Sequence, residues 1–262
     1  MAGLPVQSED IDRRFSGLSR LYGPEVAHRI RLSHVTVVGI GGVGSWAVEA
    51  LARSGVGKLT LIDMDHVSES NINRQLHALT TTVGQSKVLA MAERIALIHP
   101  DCHAVLVDEF ISPENIDALM PEDLDVLIDA TDQVSAKVAL AYWAIKHHKA
   151  MVTVGAAGGK KQAHLVEMSD LTHATHDPLL AQVRHRLRKD GVIASDKNAC
   201  GVHAVFSKEP IVRPTVAEGD ACISDLNCHG YGSVVTVTAS FGMVAASLTL
   251  NFLANDLIKS KI

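Results

Sequence analysis

Cysteine is scarce: four in 262 residues, at positions 102, 200, 222 and 228, and none at C-x-x-C spacing. That excludes a disulfide framework and a paired-cysteine zinc site, and makes a reducing, cytoplasmic setting the expectation. Positive charge is in deficit, with 24 Lys plus Arg against 29 Asp plus Glu and a formal charge of −5 at pH 7. A globally basic nucleic-acid protein is thereby excluded, although a local basic patch is not. The stretch from Met1 to Arg14 carries acids and no apolar run, which is not the pattern of a signal peptide. Internal repeats and low-complexity stretches are lacking too, so repeat arrays find no support. Apolar residues are abundant, at 47% against 20% charged, enough to bury the core of one large domain. A single long uncharged run, Ser233 to Ala254, is 22 residues long. It is long enough to cross a bilayer, yet Thr236, Thr238, Ser240, Ser247, Thr249 and Asn251 dilute it, and a buried core helix is favoured over membrane association.

His34 to Ile40 is a β-branched run that ends in glycines, and Val43 to Ala52 continues with helix formers. After a stop at Gly55 to Gly57, Lys58 to Asp63 supplies a second strand and completes a βαβ unit. The alternation persists: helix 86–98, strand 103–107, strand 124–130, helix 134–147, then strands at 151–155 and 163–168. This order predicts an α/β fold with a doubly wound, mostly parallel, Rossmann-like sheet. Within one domain, residues 1–33 are expected as two short helices, 11–22 and 24–32, lying over the nucleotide face or reaching a partner subunit. Residues 34–168 form the nucleotide-binding core, 169–232 a loose substrate-binding insertion with one helix at 178–189, and 233–262 a C-terminal helix.

Gly39, Gly41 and Gly44, with Gly42 between them, form G-x-G-x-x-G between a strand and a helix, the context in which the pattern cradles phosphates at a helix N-terminus. Asp63 closes the second strand, where an acid accepts hydrogen bonds from ribose hydroxyls. Beyond it, Asn71, Arg74, Gln75 and Lys87 bring two cations and two amides near the glycine turn. Such a battery suits a triphosphate whose charge grows during adenylyl transfer, and exceeds what a redox cofactor's diphosphate needs. Asp129 and Asp132 end a further strand at the ligand-binding edge. Asp132 is the candidate to hold Mg²⁺ between phosphates, or else caps the following helix; Asp129 is read as a support.

Taken together, G-x-G-G-V-G at 39–44, D-x-D-x-V-x-x-S-N-x-x-R-Q at 63–75, G-Q-x-K at 84–87 and D-A-T-D at 129–132 resemble the ubiquitin-activating-enzyme-like adenylyltransferases. The resemblance implies ATP as co-substrate and attack of a carboxylate on its α-phosphate. It implies that Gly41 and Asp63 contact the nucleotide, Asp65 the ribose, Asn71, Arg74 and Lys87 the phosphates, and Asp132 the Mg²⁺. Within that group the chain is most similar to the tRNA threonylcarbamoyladenosine dehydratases, through residues 14–23, 155–160, 177–180 and 230–233. That likeness implies a homodimer and a modified tRNA as substrate, cyclised with loss of water. The substrate's own carbamoyl group then attacks the adenylate, and no enzyme nucleophile is required. In the relatives that activate sulfur carriers an N-terminal arginine reaches the partner subunit's ATP. Gly17 takes the aligned place here, which leaves Arg14 or Arg20 for that task.

Arg184, Arg186, Arg188 and Lys189 form the densest positive run and are the candidates for tRNA phosphates, the bland reading being a solvated helix face. Cys228 either packs as a plain thiol or carries sulfur in a relay with a sulfurtransferase partner. Three rival functions stand beside the dehydratase: activation of a ubiquitin-like sulfur carrier, an adaptor that has lost turnover, and a nicotinamide oxidoreductase. Intact Arg74, Lys87 and Asp132 oppose the lost-turnover adaptor, and absence of an absorbance change with either nicotinamide cofactor would close the oxidoreductase reading.

Overall fold

The computed structural model describes residues 8–194, 198–212 and 231–255. Cys222 and Cys228, Arg213 and Gly230 lie outside them. β1 (His34–Val38), β2 (Lys58–Ile62), β3 (His103–Val107), β4 (Val126–Asp129), β5 (Ala150–Val154), β6 (Val166–Asp170) and β7 (Val202–Ser207) make one sheet in the order β3-β2-β1-β4-β5-β7-β6. All neighbours run parallel except β6 and β7. β1 and β4 are buried along their whole length, which is why apolar residues dominate both of their faces, with His34, Thr36 and Asp129 buried among them. The order reverses between β1 and β4, and ligands of such sheets bind at the carboxyl ends of the strands flanking that switch.

α3 (Gly44–Arg53), α4 (Lys87–Ile98) and α8 (Val235–Ala254) cover one face, while α5 (Ile116–Leu119), α6 (Val134–Lys146) and α7 (Pro178–Lys189) cover the other. The helical spans predicted at 86–98, 134–147 and 178–189 agree with α4, α6 and α7 to within one residue. α8 has the length and hydropathy of a membrane span, but it packs on α3, on the helix Pro24–Leu32 and on the sheet, with Val237, Phe241 and Ala245 wholly buried. Its polar residues are absorbed locally, as when Thr249 Oγ1 donates to the carbonyl of Ala245. A core helix accounts for the uncharged run.

Three expectations change. Residues 163–165 form a 3-10 turn, and the strand begins at Val166 and pairs antiparallel with β7. β7 itself falls in the segment expected as a loose insertion, yet it lies between β5 and β6 and is almost entirely buried. Thus the run 202–207 is sheet core, and its glycine- and proline-rich surroundings hide it. Finally, α1 (Ser8–Tyr22) and α2 (Pro24–Leu32) do not lie over the nucleotide face. Phe15 packs on Gly55 and His99, and Arg14 Nη1 donates to the carbonyl of Ile98 at 3.2 Å. These contacts sit at the amino-terminal edge of the sheet, opposite the cleft.

Candidate active site

A cleft of about 220 Å³ opens at the carboxyl ends of β1, β2 and β4. The backbone of Gly39 adopts φ +85°, and a Cβ there would sit 2.9 Å from the carbonyl of Ala130. A Cβ on Gly44 would overlap the carbonyl oxygen of Gly39. Only glycine lets the turn fold this tightly against itself and against the turn after β4. Gly39, Gly41 and Gly42 line the cleft and Gly44 stands behind them. No side chain caps α3, so the helix start presents amides suited to an anion.

Asp63 braces this turn from β2. Its Oδ2 accepts from the Ile40 amide at 2.6 Å and its Oδ1 from the Asp65 amide at 2.8 Å. Burial pushes its carboxyl above the ordinary range, opposed by the Lys87 ammonium. Asp65 is exposed, and its Oδ2 lies 2.6 Å from Lys87 Nζ. Lys87 is the first residue of α4; its amide donates to the Asp65 carbonyl at 3.0 Å and its side chain is buried in the cleft wall.

Arg74 and Gln75 come from the turn after a short 3-10 helix, Glu69–Asn71. Asn71 is buried and does not line the cleft. Its Oδ1 accepts from the Ser68 amide, and its carbonyl accepts from the amides of Arg74 and Gln75. The residue implied by resemblance to touch phosphate therefore builds the turn that presents the two that do line the site. The Arg74 carbonyl is pinned by Trp46 Nε1 from α3 at 3.0 Å and by Thr238 Oγ1 from α8 at 3.2 Å. Gln75 is buried with Oε1 unpaired, an acceptor or flipped donor left for a ligand. Across the cleft, Asp132 is exposed and lines the opening. The N-cap of α6 is Gln133, without a side-chain bond, so Asp132 is not used in capping. Asp129 is wholly buried and faces away from the cleft.

Met64, Glu109, Phe110 and Ile111, not singled out from sequence, also line the site, as do Leu179, marked only by the likeness of 177–180, and Thr238, read only as part of the uncharged run. Glu109 to Ile111 follow β3, so the carboxyl-edge rule would have found them. Thr238 is brought in by the packing of α8, which no local pattern reveals. In the basic run, Arg184 is half-buried and directs Nη1 to the Leu171 carbonyl at 3.4 Å, and Arg188 Nε is buried. Arg186 and Lys189 are exposed.

A family model described as "ThiF family" matches residues 13–261. The chain belongs to the ThiF family. Among ThiF-family relatives, the tRNA threonylcarbamoyladenosine dehydratase of Haemophilus influenzae is 42% identical, over 93% of this chain and 94% of that protein. The solved structure of the E. coli tRNA N6-threonylcarbamoyladenosine dehydratase, TcdA, in complex with ATP superposes with a TM-score of 0.87 at 40% identity, over 98% of this chain and 100% of that one. The E. coli molybdopterin-synthase adenylyltransferase is 39% identical, but over 40% of this chain and 42% of that protein.

Proposed function

We propose that this ThiF-family protein is an ATP-dependent tRNA dehydratase that converts N6-threonylcarbamoyladenosine to its cyclic form. The observation that carries the reading is the convergence of Arg74, Gln75, Lys87 and Asp132 on the glycine turn. It occurs in a chain whose similarity to a dehydratase covers 93% of its length, whereas the molybdopterin-synthase adenylyltransferase matches 40% of it. In this reading the threonyl carboxylate attacks the α-phosphorus of ATP, the bond to the β,γ-diphosphate breaks, and pyrophosphate leaves. A nucleophilic atom of the same threonylcarbamoyl group then attacks the acyl carbon and expels AMP, so ATP carries away the oxygen of the lost water. Arg74 and Lys87 balance the charge that grows on the phosphates, Asp63 and the α3 amides hold the glycine turn against them, and closure of the substrate on itself needs no enzyme thiol.

Among the described residues no three His, Cys, Asp or Glu converge, so a metal held entirely by protein finds no support. Of the acids lining the cleft, Asp63 is engaged by the Ile40 and Asp65 amides and Asp65 by Lys87, while Asp132 is exposed at the opening. Such a carboxylate fits Mg²⁺, which takes one or two protein carboxylates and keeps several waters. Asp132 would hold it, and the ion would supply charge neutralisation at the phosphates.

For tRNA, Arg186 and Lys189 on the exposed side of α7 are assigned the phosphate contacts, with Arg184 serving the fold. We place the enzyme as a homodimer: Arg14 is anchored at the far edge of its own sheet, so an N-terminal arginine that reaches this cleft belongs to a second subunit. The test is ATP–pyrophosphate exchange with purified protein. Exchange that depends on modified tRNA supports the reading, and exchange that requires a ubiquitin-like carrier instead overturns it.

A further inference from the structure

Behind the cleft lies an ion pair that the proposed reaction does not use. Lys137 and Asp129 are both completely buried, with Nζ 3.0 Å from Asp129 Oδ2. Thr153 Oγ1 donates to the same carboxylate oxygen at 2.6 Å and lies 3.3 Å from the lysine. The other oxygen, Oδ1, accepts from the amide of Thr131 at 3.1 Å and from its hydroxyl at 2.7 Å. A buried ion pair is a poor stabilising device, because apolar side chains of equal volume often serve as well or better. What distinguishes this one is its output. Both bonds from Oδ1 end on Thr131, the residue before Asp132, and Ala130 to Gln133 line the cleft while Lys137 and Asp129 do not. The same turn abuts the glycine loop, since the Ala130 carbonyl fills the space beside Gly39 and the Ala130 amide donates to the Val38 carbonyl at 2.8 Å.

We infer that Lys137 is a positioning residue: it holds Asp129 as a paired carboxylate, and Asp129 locks the 130–133 turn so that Asp132 faces the phosphates. The inference rests on the dehydratase reading for its catalytic consequence and on geometry alone for the order of the turn. One pair of measurements separates them. In ligand-free protein, hydrogen exchange of the 130–133 segment should quicken at least tenfold in Lys137→Met, while β1 and β4 keep wild-type protection. In tRNA-dependent AMP release, kcat should fall at least tenfold and KM for tRNA should stay within twofold. Thr131→Val removes only the hydroxyl bond, folds without a buried charge to compensate, and should show the same pattern at two- to fivefold. Wild-type exchange of the turn in both variants overturns the inference, as does loss of protection spread evenly over the sheet in Thr131→Val. Failure of the dehydratase reading appears differently, as no tRNA-dependent AMP release by the unaltered protein.

Discussion

Lys87 Nζ lies 2.6 Å from Asp65 Oδ2 and 4.0 Å from Asp63 Oδ1, so the one lysine that opens α4 is shared between the two acids that follow β2. The chain returns to make this contact after the 66–86 excursion, closed by the His66–Ser86 bridge. Replacing Lys87 by alanine removes a cation from the cleft wall without taking a side chain out of the hydrophobic clusters. AMP release should drop by roughly 10²-fold or more, the scale of losing one charge-stabilising donor. The circular dichroism spectrum should be unchanged. AMP release within threefold of wild type would remove Lys87 from the chemistry.

Gly39 and Gly44, which flank the phosphate turn, differ in consequence from Gly41 within it. Gly44→Ala forces a Cβ onto the Gly39 carbonyl, and overpacking of this kind costs about 3 kcal/mol, with ATP binding lost. At Gly41 the nearest atom to a new Cβ is Gln75 Nε2 at 3.8 Å. Gly41→Ala should therefore keep the melting temperature within a degree or two while crowding the nucleotide, read as weaker ATP binding by calorimetry.

How much of this was legible in the sequence follows from what each signal measures. Strand periodicity and the glycine turn located the switch point, because β1 and β4 are buried on both faces and are mostly β-branched and apolar, His34, Thr36 and Asp129 being the buried polar exceptions. β7 escaped because its six residues stand among loop-like neighbours, and its place in the sheet depends on pairing with strands distant in sequence. Asn71 shows a related limit. The motif marks it, yet its side chain caps a 3-10 turn, and only coordinates distinguish a residue that touches ligand from one that shapes the turn beneath it. The basic run divides for a similar reason: helical period turns Arg184 inward and leaves Arg186 and Lys189 outside.

That division is measurable. Each phosphate contact contributes about one unit to the slope of log affinity against log salt. Arg186→Ala with Lys189→Ala should lower the slope for tRNA by about two, whereas Arg184→Ala should reduce thermal stability and leave the slope alone. An unchanged slope in the double variant would move the tRNA contacts to another surface.

His77 gives a pH signature. Burial, with the Lys87 charge second, lowers its pKa from 6.5 to about 4, and neither ring nitrogen has a partner. Between those values the unfolded chain binds a proton that the folded chain does not. The stability due to the neutral imidazole is thus complete above pH 6.5 and is lost as pH falls toward 4. Lowered values at His34 and His99 act in the same direction. His77→Leu should flatten the dependence of urea-unfolding free energy on pH across this window and raise stability at pH 5. An unaltered slope would show that the imidazole is not buried as described.

The central claim is that the cleft at the β1–β4 switch activates a carboxylate on tRNA with ATP. Mass analysis of tRNA nucleosides after incubation with protein, ATP and Mg²⁺ tests it most directly. The expected result is conversion of threonylcarbamoyladenosine to a species lighter by one water, with AMP formed in equal amount and nothing formed when ATP is left out. Unchanged nucleoside beside fully active ATP turnover on a carrier protein would contradict it.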